Sequence, residues 1–174
     1  GDFTSDFLDY VSTTNIYKLF VKQGIVTYLK EAKVTLDSKI NIDQKNKKYS
    51  FKDNKLSLND LGLLFNGFVQ IPDSIKTEMD VNFKADKTTF KSLLSLIPAI
   101  YTKDFDDIKS SGNVELNGSA KGTLQGKSYP AFALNLKVDN GKFQYPKLPT
   151  AVTDVFIDAH VNNPDGSLDN TVVN

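Results

Sequence analysis

The sequence contains no cysteine among its 174 residues. Disulfide bonds, a thiol nucleophile and a zinc site built on cysteine are therefore excluded. A single histidine leaves a soft metal ion short of its usual ligands, so we expect no metal site and no cofactor. No apolar run approaches the roughly 20 residues that a membrane-spanning helix needs, and no secretion signal opens the chain.

Excess charge of one sign is also absent, because 21 basic and 21 acidic residues cancel to a formal net charge of zero. A surface that binds nucleic acid normally needs an excess of basic side chains, so we expect no nucleic-acid partner. The balance neither requires nor forbids contact with a membrane surface. The length suits one domain or slightly more, with enough residues to bury a core.

The sequence does have a strict alternation of apolar and polar residues. Its clearest instance is 114–125, where even positions are apolar or small and odd positions are polar. A period of two is typical of a β-strand with one dry face and one wet face. The alternation resumes over 132–138 after a turn around Gly126, which predicts a long antiparallel hairpin.

Similar alternation elsewhere, with short polar turns between the strands, predicts an antiparallel meander of eight or nine strands. The apolar residues change from odd to even positions across 52–54, which indicates a tight turn or a bulge, and from even to odd positions across 139–141. At the second of these changes we expect a bulge, with Gly141 supplying the left-handed conformation. The other predicted strands cover 25–43, 49–58, 61–71, 75–85 and 155–161, with a further strand beginning between 168 and 173.

The periodicity changes to a helical one after position 85. Phe90, Leu93, Leu94 and Ile97 lie at i, i+3, i+4 and i+7, with a threonine placed to cap the helix and Pro98 to end it. This spacing predicts a helix over 88–97, followed by a connector over 99–109.

The first 24 residues are harder to interpret. Phe7, Leu8 and Val11 have the spacing of one helical face, so a short helix is expected there, followed by a strand over 16–21. We treat 1–24 as a segment of uncertain structure and 25–174 as the main domain.

The dry faces of the strands must be covered by something. A ten-residue helix spans about 15 Å, whereas the longer strands reach about 35–40 Å, so the helix covers only one end. Three arrangements remain: a sandwich of two sheets, a closed barrel, or an open trough whose lining meets an apolar partner. Pattern alone favours the sandwich. Small residues such as Gly118 and Gly122 favour strong curvature or a roomy lining.

Residues 140–149, NGKFQYPKLP, resemble a G-x-[FI]-x-Y-P-x-L-P stretch near the end of AsmA-family proteins of the Bacteroidetes type. In that family a strand similar to Val152–Asp158 follows. The segments at 161–171 and 90–101 also match, so the resemblance covers most of 25–174. Residues 1–24 carry no matching motif.

The resemblance implies a mainly β fold: a long, curved antiparallel sheet, or half-open barrel, with one short helix. The AsmA and TamB-like repeating β-groove proteins carry lipid chains through the periplasm in outer-membrane biogenesis. The resemblance therefore implies a non-enzymatic groove segment of a longer envelope protein. Its expected partners are an acyl-chain lipid such as a phospholipid, the neighbouring groove segments of the same chain, and the inner membrane through an anchor outside this sequence.

The family has no catalytic residues to carry over, and the sequence shows no convergent polar pocket of the kind a hydrolase needs. The helix is expected either to cap one end of the sheet or to act as a gate for lipid, through Phe90, Leu93, Leu94 and Ile97. The alternative function is a structural or protein-binding β-sandwich without lipid cargo. The expected groove lining is Val81, Phe83, Val114, Leu116, Leu134, Leu136, Phe143, Val155 and Ile157.

Overall fold

The structure is a computed structural model that describes residues 6–24, 26–86, 88–94, 108–145 and 149–174. The described residues form one open antiparallel sheet of nine strands, in which each strand pairs with the next along the chain. A short helix, α1 (Phe90–Leu94), lies between the fifth and sixth strands, and a 3₁₀ turn (Leu168–Asn170) precedes the last. The strands are β1 (Phe7–Gln23), β2 (Val26–Asp43), β3 (Lys48–Leu58), β4 (Leu61–Gln70), β5 (Thr77–Ala85), β6 (Lys109–Leu124), β7 (Ala131–Gln144), β8 (Val152–Asn163) and β9 (Val172–Val173).

The predicted meander is confirmed, and the sheet stays open with β1 and β9 at its two edges. The sandwich that pattern alone favoured is wrong for the described residues, which form a single sheet. Short turns keep consecutive strands adjacent. After the long connection that carries α1, β6 still pairs with β5 from Thr77–Leu124 to Lys84–Asn117. Within the described ranges, all the strands therefore stay in one layer.

The helix predicted near Phe7 is wrong, because β1 is one strand of 17 residues. Phe7, Leu8 and Val11 fit a helical face by spacing, but pairing with β2 decides the conformation. Leu8 lies opposite Ile42 in that pairing, whereas Phe7 and Val11 remain 57% and 70% exposed. Residues 7–23 thus belong to the same sheet as the main domain.

Four residues with positive φ bend the sheet: Glu31, Asp53, Asn140 and Asp154, with φ between 52° and 58°. Each lies at a register shift between paired strands. A bulge bends its strand and increases the local twist, so the sheet is curved.

At both predicted changes between odd and even apolar positions, the structure has a bulge inside a continuous strand. At the second of them, however, Asn140 takes the left-handed conformation instead of Gly141. Asn tolerates this region better than most residues. Gly141 is required for space, since a Cβ there would lie 3.0 Å from side-chain atoms of Val138 and Val155.

The core of the protein is thin. Among the described residues, the apolar side chains that are buried are Ala32, Leu61, Phe90, Ile108 and Val138. The accessible surface is 11640 Å², whereas a compact monomer of 19.3 kDa is expected to expose about 8,500 Å². Much of the apolar surface therefore stays accessible to solvent.

One end of the sheet, which we call the helix end, carries the β1–β2 turn, the β3–β4 turn and α1. The predicted helix is confirmed over Phe90–Leu94, and its capping residue is Thr89, whose Oγ1 accepts a hydrogen bond of 3.2 Å from the Ser92 backbone N–H. Residues 95–97 of the predicted helix, and 99–107 of the predicted connector, lie outside the described residues.

Candidate functional site: the apolar face of the sheet

The strand register places all nine predicted lining residues on one face of the sheet. Residues opposite each other in an antiparallel pair share a face. Phe83 lies opposite Gly118, which lies opposite Leu134. Val138 lies between Val114 on β6 and Ile157 on β8. The same reasoning assigns Val81, Leu116, Leu136, Phe143 and Val155 to this side, which we call the apolar face.

The apolar face also extends over β2, β3 and β4, which the predicted lining omitted. Phe51 on β3 and Phe65 on β4 make an edge-to-face contact with ring centroids 5.3 Å apart. The alternation that marked the other strands would have identified this half of the face as well. Further members by register are Leu36, Ile40, Leu56, Leu63 and Val69.

Residues at the middle of the apolar face are half-buried by one another. Leu134, near the start of β7, remains 36% exposed. Gly118 leaves room between neighbouring strands, and the ring of Phe83 fills part of that room. Large side chains and small ones therefore alternate across the face, so its surface is uneven.

The opposite face is mainly polar, and its polar side chains pair with each other across strands. Lys121 Nζ lies 2.9 Å from Asp80 Oδ2, and the hydrogen bond to Asp80, reinforced by its charge, raises the pKa of Lys121. Asn135 donates to Asn117 over 2.9 Å. These partners are exposed to water, so this face needs no further cover.

At the helix end, α1 covers part of the apolar face. Phe90 is buried and packs edge-to-face against Phe143, with 6.1 Å between ring centroids. Phe143 was expected in the open lining, but it lies beneath α1 in this structure. Thr88 lies two residues before Phe90, and Ser110 lies opposite Phe143 on β6. Their hydroxyl oxygens are buried and have no hydrogen-bond partner among the described residues.

The other predicted gate residues are only partly described. Leu93 is half-buried in α1, Leu94 is the last described residue of the helix, and Ile97 lies outside the described residues. A helix of this size covers one end of β6 and β7 and does not cover the rest of the apolar face.

The polar side chains of β1, β2 and β3 that lie on the apolar face form local hydrogen bonds. Ser12 and Ser38 hydrogen-bond to each other through their hydroxyls over 2.8 Å. Asn54 is buried, and its Oδ1 accepts a hydrogen bond of 2.8 Å from the Lys39 backbone N–H. These groups stabilise the bulged region of β2 and β3, and they do not converge on a shared point as catalytic groups would.

A cavity of about 600 Å³ lies over β1, β2 and β3, where Asp9, Lys39 and Lys52 are among the lining residues. Within the described ranges, no three metal-ligating side chains cluster together. Nor does any helix there have the length and hydropathy to cross a bilayer.

Comparison of the chain with protein-family models, with curated proteins and with solved structures finds no match.

Proposed function

We propose that the apolar face binds the acyl chains of a lipid, and that the protein is a non-enzymatic lipid-handling groove. The observation that carries the proposal is the asymmetry of the single sheet. One face is apolar from β2 to β8, and α1 is the element that covers it within the described part of the chain, at one end. An acyl chain gains about 0.8 kcal/mol for each CH₂ removed from water.

The shape of the face suits an acyl chain better than a compact polar ligand. The row Phe83, Gly118 and Leu134 runs across three adjacent strands, and the half-buried neighbours of this row offer contact without directional hydrogen bonds. Such a lining binds lipid tails with little discrimination between head groups, because the polar groups nearby are already paired.

The sequence resemblance supports a place for this groove within a longer AsmA-like envelope protein. We propose that the protein works in the periplasm, anchored to the inner membrane by another segment, and that neighbouring groove segments continue its sheet. Its role there would be transfer of phospholipid during outer-membrane biogenesis.

A second candidate function is a structural or protein-binding module without lipid cargo, in which a second layer from another chain covers the apolar face as in a β-sandwich. The observation that favours it is the edge strand β1, which pairs with β2 on one side and has no strand on the other among the described residues. An open edge of this length is suited to pairing with another polypeptide.

Native mass spectrometry of the protein purified from cells without detergent distinguishes the two candidates. We expect phospholipid to co-purify with the unmodified chain and to be lost from Leu134→Asp, which places a charge on the apolar face. Ser119→Asp is the matched control, because Ser119 is exposed on the polar face one residue from Gly118. A lipid-free chain that instead captures a second polypeptide would support the binding module.

A further inference from the structure

The hairpin formed by β1 and β2 extends beyond the rest of the sheet at the helix end. β1 and β2 pair as far as Gln23 and Val26, but β3 pairs with β2 only from Val34 onwards. The β3–β4 turn ends this contact, where the Asn59 backbone N–H donates to the Lys33 carbonyl over 2.8 Å. Residues 16–24 and 26–33 therefore form a projecting hairpin, whose free part is about 20 Å long.

Large apolar side chains on the projecting hairpin are exposed to solvent. Tyr17 is 78% exposed and Phe20 is 58% exposed, and Ile16 and Val21 are exposed as well. A two-stranded hairpin has no core of its own and is marginally stable in water. Exposed aromatic residues along such an element mark a contact surface.

The projecting hairpin also has an excess of positive charge, unlike the chain as a whole. Positions 16–33 contain four lysines and one glutamate, whereas the complete chain is neutral. Lys18 is paired with Glu31 over 2.9 Å, while Lys22 and Lys33 are exposed. Aromatic side chains beside lysines suit the boundary of an anionic bilayer, where the rings enter the head-group region and the lysines meet lipid phosphates.

We propose that the projecting hairpin docks the protein on the surface of a bilayer that contains anionic phospholipid. The exposed apolar side chains of the hairpin and its local positive charge act together, since membrane association strengthens with buried apolar area and with attraction to anionic lipids. The hairpin and α1 lie at the same end of the sheet. Docking therefore brings the helix-covered end of the apolar face towards the membrane, where lipid would enter or leave.

The positive charge of the projecting hairpin favours a bilayer over a second copy of this chain as its binding partner. Two hairpins pairing edge to edge would place two lysine-rich segments side by side, and like charges repel. An anionic surface attracts the same segments. The inference concerns contact with a membrane, and it holds whether or not the apolar face carries lipid.

The test is co-flotation of the full chain with two kinds of vesicle, one of phosphatidylcholine alone and one that also contains phosphatidylglycerol. We expect binding to the anionic vesicles that weakens as salt is added. Tyr17→Ser/Phe20→Ser and, separately, Lys18→Gln/Lys22→Gln should each weaken that binding by about tenfold. The matched control is Phe7→Ser/Val11→Ser, which removes two exposed apolar side chains from the same strand outside the hairpin and should leave binding unchanged.

Equal binding of the control and hairpin variants, or no preference for anionic vesicles, would overturn the inference. So would concentration-dependent dimerisation abolished by the Tyr17→Ser/Phe20→Ser pair, because the occupant would then be a second copy. Circular dichroism confirms that each variant folds. Co-purifying lipid, measured on the same variants by native mass spectrometry, separates this inference from the groove proposal: docking variants should still carry lipid, whereas Leu134→Asp should still dock.

Discussion

The ring of Phe83 on β5 lies directly against Gly118 on β6. A Cβ added at Gly118 would fall 2.6 Å from ring carbons Cε1 and Cζ, and 2.8 Å from the backbone oxygen of Ala133. The ring can rotate away, but the backbone oxygen belongs to a paired strand and cannot. The absence of a side chain at Gly118 therefore sets how closely β5, β6 and β7 pack on the apolar face.

Gly118→Ala should consequently lower the free energy of unfolding by about 1–3 kcal/mol, as overpacking does. Urea denaturation measures the change, with Ser119→Ala as the control on the polar face of the same strand. A Gly118→Ala protein as stable as the control would mean that neither the Phe83 ring nor the Ala133 backbone oxygen restricts this space.

The bulge at Asn140 gives a second prediction about stability. Asn140 has φ of 52°, a conformation that costs about 1–2 kcal/mol for an ordinary L-residue and more for a β-branched one. Asn140→Val should destabilise the protein by at least that amount in thermal or urea unfolding. Asn140→Gly removes the same side chain without strain, so it should stay close to the wild type. Equal losses in both variants would show that the side chain of Asn140, and not its backbone, is what matters.

Removing the contact between Phe90 and Phe143 tests whether α1 is a gate or a passive cap. Phe90→Ala should release α1 from β7 at a cost of up to about 3–5 kcal/mol, and trypsin should then cleave more readily after Lys91. If α1 is a gate, a fluorescent fatty acid should enter the apolar face faster in this variant. Ile75→Ala, which truncates an exposed apolar side chain, serves as the control. Faster cleavage with an unchanged rate of fatty-acid entry would assign α1 the role of a cap.

The turn between β2 and β3 gives a prediction about pH. Hydrogen bonds from the side chain and backbone of Asn46 hold the pKa of Asp43 below its ordinary value of 3.8. Because the folded state lowers this pKa, its stabilising effect is present above the ordinary value and is lost as the pH falls through the lowered one. Asp43→Asn should be less stable than the wild type at neutral pH, and the difference should shrink as the pH falls through the lowered pKa. Since Asp43 is only partly buried, the difference in urea midpoint should be small, and a difference that did not shrink in acid would refute this origin.

Most of the sheet could be predicted from the sequence because one face of each strand is apolar and the other is polar. Val114 to Gln125 shows this without interruption, and the register agrees with it residue by residue. The bulges were visible in the sequence as changes of the apolar residues between odd and even positions. The sequence could not show, however, that Asn140 and not Gly141 takes the left-handed conformation. The need for glycine at 141 comes from Val138 and Val155, whose side-chain atoms would lie 3.0 Å from a Cβ there, which is a tertiary effect.

Sequence reasoning was wrong about the first part of β1, whereas the strand expected over 16–21 is confirmed. Phe7 and Val11 are apolar yet exposed, so an edge strand with apolar residues on both faces imitated the spacing of a helix. The contact of Phe143 with Phe90 was also beyond the sequence, because it depends on where α1 lies relative to β7. The projecting hairpin could not be anticipated either, since no local pattern shows that β3 ends before β2 does.

Site-specific photo-cross-linking tests the central claim most directly. A benzophenone side chain at position 134 would lie on the apolar face, whereas the same group at position 119, on the neighbouring strand, would lie on the polar face. Irradiation in the living cell should attach phospholipid at position 134 and leave position 119 free of lipid. Cross-links from position 134 to protein alone, or equal lipid attachment at both positions, would contradict the account.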